Sequence, residues 1–218
     1  MLLKEGIKWV KDVLFPVKCI ECGQEGKWLC DDCKSGLKLN LKDTKFDKAV
    51  NGLNRLTALF NFKEDDLVFS LIYYLKYFYC VEVADILCEN FKNVDFDNDF
   101  LIIPVPLHGR RQRERGFNQS EIISKKIVLE AQKQGVSLES NFTDFKRVRY
   151  TKQQAKLTKK ERKKNLKQAF VWRGESLQNK KIILVDDVYT SGSTMKECAF
   201  VLRDSGVKYI WGVVLAKG

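Results

Sequence analysis

Long apolar runs are missing from this 218-residue chain. Its most hydrophobic stretch, Leu67 to Val83, is interrupted by Lys76 and carries Tyr73, Tyr74, Tyr77 and Tyr79, so it reads as a buried amphipathic helix region and not as a membrane span. Near the start, Leu3, Ile7, Val10 and Leu14 recur at helical spacing, but Lys4, Glu5, Lys8, Lys11 and Asp12 break them up, which argues against a signal peptide or an anchor. A cytoplasmic protein without membrane insertion is expected. Internal repeats, low-complexity tracts and heptad runs are also missing. Proline occurs three times, and histidine once, at His108. A lone histidine is more often structural than catalytic, and its place beside an arginine-rich segment suits phosphate contact better than base chemistry. Neither a Walker A sequence nor a G-x-G-x-x-G turn after a strand is present to bind nucleotide phosphates.

What is present begins with charge. Lysine and arginine number 39 against 28 acids, giving a formal +11 and a pI near 9.3, which favours polyanionic ligands. The excess is concentrated in His108 to Arg173, with 19 basic residues against 6 acidic ones. Such a block is commonly just a solvated face, and it gains meaning only beside a phosphate site. With 44% hydrophobic residues, the length permits one ordinary core and a small appendage.

Four of the seven cysteines, Cys19, Cys22, Cys30 and Cys33, follow the spacing C-x2-C-x7-C-x2-C. Two such turns can offer four thiolates to one tetrahedral ion, with Gly23 easing the first turn, which points to structural zinc. Two disulfides would require an oxidising compartment. So small a unit cannot hold itself by burial, so the metal should supply its folding energy. Cys80, Cys88 and Cys198 lie in apolar surroundings and are expected to pack in the core.

Further along, Leu53 to Phe62 reads as a strand and Asp65 to Phe91 as helix, broken near Tyr79. Leu101 to Val105 is a short buried strand, Gln119 to Gln134 a helix, Lys181 to Val185 a strand, Met195 to Arg203 a helix closed by Gly206, and Ile210 to Leu215 a last buried strand. Strands alternating with helices predict an α/β fold with a largely parallel sheet. Val148 to Gln168 is too basic and polar for a core.

The segment ILVDDVYTSGST, Ile183 to Thr194, carries the most specific chemistry. A buried strand should deliver Asp186 and Asp187 to its carboxyl end, where open α/β sheets bind ligands. Gly192 would let the backbone approach an anion, with loop N–H groups and the hydroxyls of Thr190, Ser191, Ser193 and Thr194 as donors. Two carboxylates beside a phosphate cradle need something else to hold; ribose hydroxyls fit, helped by magnesium. PVPLHGRRQRERGFNQSE, Pro104 to Glu121, places Arg110, Arg111, Arg113 and Arg115 on an expected loop, where they could neutralise a leaving pyrophosphate. RVRYTKQQAKLTKKERKKNLKQAF, Arg147 to Phe170, is long enough to act as a lid.

The Ile183 to Thr194 segment resembles the 5-phosphoribosyl-1-pyrophosphate (PRPP) motif of type I phosphoribosyltransferases. The cysteine pairs, both basic motifs and this loop, in that order, resemble the ComF family of competence proteins along essentially the whole chain. Positions of family type include Lys76 and Tyr77, Arg115 to Gln119, Arg147, Arg149, Thr151, Gln154, Leu157, Arg162, Asn165, Ala169 and Phe170. Two positions depart from the family pattern: Tyr189-Thr190-Ser191 stands where many members have Thr-Thr, and Gly109 where a basic residue is frequent.

The resemblance implies a type I phosphoribosyltransferase fold, with residues 1–50 forming an N-terminal helix and zinc unit and residues 51–218 the main domain. It assigns catalysis to Asp186, Asp187 and Arg115, and PRPP binding to Lys76, Arg110, Arg111, Val188, Tyr189, Thr190, Ser191, Gly192, Ser193 and Thr194, with Mg2+. In this reading Asp186 and Asp187 meet the ribose hydroxyls and Thr190 to Thr194 the 5-phosphate. It further implies a part in natural transformation: handling single-stranded DNA with Arg113, Arg147, Arg149, Lys152, Lys156 and Arg162, alongside DNA-uptake proteins. Two other readings stay open, a salvage-type enzyme transferring phosphoribose to a base or nucleotide, and a PRPP-sensing regulator. The acceptor is not legible, and no glutamine amidotransferase domain is present.

Overall fold

A computed structural model describes residues 16–63, 66–78, 80–150 and 169–218. The expected helix over Met1 to Leu14, the break at Tyr79 itself and nearly all of the second basic motif, with Lys152, Lys156 and Arg162, lie outside them. The described elements are α1 (Asp31–Ser35), β1 (Lys42–Val50), β2 (Leu53–Asn61), α2 (Leu67–Tyr77), α3 (Val81–Cys88) followed by a 3-10 turn, β3 (Phe100–Pro104), α4 (Gly109–Arg115), α5 (Gln119–Lys133), β4 (Glu139–Ser140), β5 (Phe145–Arg147), β6 (Phe170–Trp172), β7 (Lys181–Tyr189), α6 (Ser193–Asp204) and β8 (Tyr209–Lys217).

Six strands form one sheet in the order β1-β2-β8-β7-β3-β4. Every pairing is parallel except the β1–β2 hairpin at one edge. The expected α/β class with a largely parallel sheet is what the structure shows. The central strands β7 and β8 are buried on both faces, which is why Ile182 to Val185 and Ile210 to Leu215 read as continuous apolar runs instead of alternating ones. One face packs α2, α3 and α5 through Leu71, Leu75, Val83, Ile123 and Ile127, around the fully buried Trp211. The other packs α6 through Met195, Cys198, Ala199 and Leu202, with the small β5–β6 sheet. Trp211 donates its Nε1–H to Thr57 Oγ1 at 2.8 Å, so burying the indole leaves no polar atom unsatisfied.

Three local expectations change. β7 does not stop at Val185 but runs to Tyr189, because β8 keeps pairing with it as far as Lys217. Asp186 and Asp187 are therefore inside a strand, beyond the point where β3 ceases to pair at Pro104. The arginine segment is not a loop: Gly109–Arg115 is a short helix, N-capped by the His108 side chain, which accepts from Arg110 N–H, and ended by Gly116 at φ 79°. Finally, β1 has no counterpart in the sequence reading, since both of its faces are largely solvated and no alternation marks it.

Candidate functional site

Adjacent strands β3 and β7 send their following helices, α5 and α6, to opposite faces of the sheet. The carboxyl edge between them is a topological switch point, where open α/β sheets leave a crevice. A cleft of about 250 Å³ lies there. Asp186, Asp187, Val188, Thr190 and Thr194 come to it from β7 and its loop, Val105 to Leu107 from the end of β3, and Arg111, Arg115, Gln119 and Ser120 from α4 and α5. Lys76 and Tyr77 enter from α2, Phe62 from beyond β2, and Arg147 from β5.

The two acids behave differently. Asp186, half-buried, accepts at Oδ1 from Ser120 Oγ at 3.0 Å and from the Asp187 N–H at 2.9 Å. Burial and the neighbouring Asp187 charge push its pKa up to about 7, against the pull of the Asp187 N–H, Lys76 and Ser120. Asp187 is buried, and Lys76 Nζ lies 3.1 Å from its Oδ2, near enough for an ion pair. The direction of approach does not make a hydrogen bond, however, so that oxygen has no donor among the described residues.

Around the acids stand cations held by packing. Arg115 sits 4.8 Å from the Tyr77 ring and donates to Gln119 Oε1 at 3.2 Å. Arg147, half-buried, lies 5.3 Å from the Phe170 ring; burial and then Arg111 lower its pKa from the ordinary guanidinium value. Arg110, expected at the site, instead pairs with Glu114 at 2.9 Å and leans over Tyr150 on the outer side of α4. Arg113 and Arg149 are exposed and do not line the cleft. His108 caps α4; burial and the surrounding Arg147, Arg113, Arg111 and Arg110 hold its pKa below the ordinary imidazole value, so it is neutral at pH 7.

The Thr190 to Thr194 loop turns sharply at Gly192, whose φ of 68° is left-handed. A Cβ at Gly192 would lie 2.4 Å from Tyr189 Oη and 2.5 Å from Asn51 Nδ2. The missing side chain thus makes room for protein beneath the loop, a different steric need from the approach to an anion read from the sequence. Ser191 and Ser193 hydroxyls are 2.8 Å apart, and Ser191 Oγ is 3.5 Å from the Ser193 N–H. Among the described residues, the Ser191 and Gly192 N–H groups have no protein acceptor. Thr190 and Thr194 face the cleft, whereas Tyr189 does not line it.

Sequence reasoning missed Ser120 and Asn51. Ser120 follows Asn118, whose Oδ1 caps α5 and whose Nδ2 donates to Val105 O at 3.1 Å, so the cap itself aims Ser120 at β7. Asn51-Gly52 is a two-residue hairpin turn with both φ positive, a signal present in the sequence but unread without a recognisable strand before it.

A second site lies in the N-terminal unit. The sulfurs of Cys19, Cys22, Cys30 and Cys33 all lie within 4.8 Å of one another, with Cys22 and Cys30 at 3.7 Å. Tetrahedral thiolates about 2.3 Å from zinc stand about 3.8 Å apart, so the cluster has the size of a zinc site. Cys19 Sγ accepts from Cys30 N–H and Cys30 Sγ from Cys33 N–H, both at 3.5 Å. Burial works against the Cys19 thiolate, but the N–H groups of Cys22, Cys30 and Glu21 together outweigh it and bring its pKa down to about 6. The four cysteines suit a structural metal such as zinc, with no side left open for chemistry. Cys19, Leu29 and Cys30 join the buried cluster under α2, and Trp28 packs 6.2 Å from Tyr74, so the unit is docked on the main core.

No family model matches the chain. Competence protein F of Haemophilus influenzae is 38% identical over 120 residues, 53% of this chain and 50% of that protein. DNA utilization protein YhgH of Salmonella typhimurium is 41% identical over 106 residues, 48% of this chain and 44% of that one. Competence protein ComFC of Bacillus subtilis is 29% identical over 120 residues, 54% and 44% respectively. The matched segments span about half the length of these relatives. Solved structures with similarity include phosphoribosyltransferases. A Staphylococcus aureus hypoxanthine phosphoribosyltransferase superposes with TM-score 0.37 at 15% identity, covering 63% of this chain and 64% of that one. A purine phosphoribosyltransferase from Pyrococcus horikoshii gives 0.31 at 14% identity, covering 65% and 84%. Superpositions this loose carry no argument by themselves. The sequence matches do: over about half its length this chain is related to the ComF-type competence proteins, the family its motifs resemble.

Proposed function

We propose that the cleft binds PRPP with Mg2+, and that the chain uses this site while handling single-stranded DNA during uptake; the relatives' names, competence protein and DNA utilization protein, support the link to DNA. One observation carries the reading: two adjacent carboxylates, Thr190 and Thr194 on either side of a left-handed turn, and the cations Lys76, Arg111, Arg115 and Arg147 line one crevice. The turn suits a phosphate monoester, the carboxylates suit ribose hydroxyls, and the cations suit a pyrophosphate. The donorless Asp187 Oδ2 is a natural oxygen ligand for a divalent cation, which would supply charge neutralisation of the pyrophosphate when bound. In this reading Asp186 and Asp187 orient the ribose, Arg115 and Arg111 hold the departing phosphates, and Lys76, drawn to Asp187, keeps the acids from repelling the ligand. Zinc in the cysteine unit and a cytoplasmic setting belong to the same proposal, with the zinc unit ending before β1, which lies in the main sheet; no described helix is long and apolar enough to cross a membrane.

Calorimetric titration with PRPP, with and without Mg2+, tests the site. Magnesium-dependent saturable binding is expected, and no heat or protection at any ratio would reject it. A panel of base and nucleotide acceptors then separates an enzyme, which releases pyrophosphate, from a protein that binds PRPP without turnover.

A further inference from the structure

Tyr189, the last residue of β7, and Asn51, in the turn of the β1–β2 hairpin, meet beneath Gly192 of the phosphate loop. Asn51 Nδ2 donates to Tyr189 Oη at 2.7 Å, joining two residues 138 positions apart. Both groups press against Gly192, so close that a Cβ there would collide with each. Asn51 itself occupies the left-handed region, φ 51°, at the tip of the β1–β2 hairpin. That tip is fixed from two sides. Gly52 packs so tightly on α6 that a Cβ would lie 2.6 Å from the Ala199 Cβ. Arg203, near the far end of α6, donates from Nε and Nη2 to Gly52 O at 3.0 and 2.9 Å and from Nη2 to Asn54 Oδ1 at 2.7 Å. Asn54 Oδ1 in turn accepts from Ile210 N–H at 2.9 Å, tying the hairpin to β8.

The consequence is mechanical. Gly192 has the widest conformational freedom of any residue in the loop, and its N–H, like that of Ser191, has no acceptor among the described residues. A loop meant to hold a phosphate must have those N–H groups aligned before the ligand arrives, or binding pays for ordering them. Tyr189, rigid in β7, provides the base, and Asn51 locks the phenol in one position. We infer that the Asn51–Tyr189 hydrogen bond is a brace that sets the shape of the Ser191–Gly192 turn, making Asn51 and Tyr189 positioning residues for the 5-phosphate of a ribose phosphate. The edge hairpin thereby has a task besides closing the sheet. This inference rests on the phosphate reading of the loop given above.

The experiment compares wild type, Asn51→Gly, Tyr189→Phe and the double variant. Glycine keeps the left-handed turn and removes only the amide; phenylalanine keeps the ring and removes only the hydroxyl. Ribose 5-phosphate and inorganic pyrophosphate with Mg2+ are titrated separately. Affinity for ribose 5-phosphate should fall about three- to tenfold in each single variant, the span expected for one hydrogen bond. The double variant should fall no further than either single one, because both changes cut the same bond. Pyrophosphate affinity should be unchanged. Equal loss toward both ligands, additive losses, or no loss would overturn the brace. Amide exchange of Ser191 to Thr194 without ligand supplies a second readout: it should quicken in Asn51→Gly, and unaltered exchange would also overturn it. If wild type binds neither ligand, the phosphate reading falls, while the exchange measurement still decides the brace.

Discussion

Asp186 and Asp187 are neighbours in sequence with unlike surroundings, and that contrast makes a pH prediction. Burial and the Asp187 charge raise the Asp186 pKa to about 7. Its value in an unfolded chain is about 3.9. The folded state therefore holds the proton more tightly, so the stability this group contributes is complete below the unfolded value and is lost as pH rises through about 7. A cation or a ribose hydroxyl needs the ionised form, so ligand binding must expel that proton. PRPP affinity in the presence of Mg2+ should rise as pH increases through about 7 and level roughly one unit above it, with proton release measurable in buffers of different ionisation heat. Asp186→Asn should flatten the profile; a flat wild-type profile would contradict the assignment. For Asp187→Ala, loss of PRPP binding of about a hundredfold or more is expected, as for any deleted charged ligand, with a native circular dichroism spectrum. Unchanged affinity would reject the cradle. None of this contrast could be read from the dipeptide Asp186-Asp187 alone: Ser120 and Lys76 reach it from α5 and α2, and only the folded chain brings them there.

At the scale of elements, legibility follows the solvent. β2, β3, α5, β7, α6 and β8 each bury a continuous or periodic apolar set, so their existence was readable from residue pattern. β1 and α4 bury almost nothing, and there the pattern was silent. The cysteine unit is the opposite case: it has few buried residues, yet its ligand spacing alone located it. Chelation should separate this unit from the rest. One zinc per chain is expected by metal analysis, and a zinc-free native protein would reject it. Removal of the metal should lower the melting temperature by roughly 10 °C, corresponding to about 3 kcal/mol for a chain of this size, and should shift tryptophan fluorescence as Trp28 leaves Tyr74. Cys19→Ser, at a buried ligand, should reproduce that loss. Two glycines offer a paired check on turns. Gly116 and Gly192 both have positive φ, but a Cβ at Gly116 meets nothing within 4 Å while one at Gly192 meets Tyr189 and Asn51. Gly116→Ala should cost only the backbone strain, about 1 to 2 kcal/mol in urea unfolding. Gly192→Ala should cost more and abolish PRPP binding; equal costs would show that the space beneath the loop is not needed.

Across the whole molecule, the basic excess divides into two populations that the linear charge count merged. Lys76, Arg111, Arg115 and Arg147 turn into the cleft, while Arg113 and Arg149 face outward beside it. Arg147 was grouped with DNA contacts on sequence grounds, yet it lines the cleft that holds the acids. If single-stranded DNA runs along the outer face, the two populations should respond to different ligands. Each phosphate contact on a single strand contributes about −0.7 to the slope of log affinity against log salt. Arg113→Ala and Arg149→Ala should each make that slope shallower by about this amount, weaken DNA of any sequence alike, and leave PRPP affinity intact. Arg111→Ala should do the reverse, weakening PRPP while sparing most of the salt slope. Fluorescence anisotropy of a labelled oligonucleotide at several salt concentrations, run beside PRPP titrations on the same preparations, checks both. Salt-insensitive DNA binding would remove the outer face from the function. If instead PRPP displaces the oligonucleotide and Arg111→Ala lowers both affinities together, strand and sugar phosphate share one crevice, and the strand end itself becomes the acceptor to test.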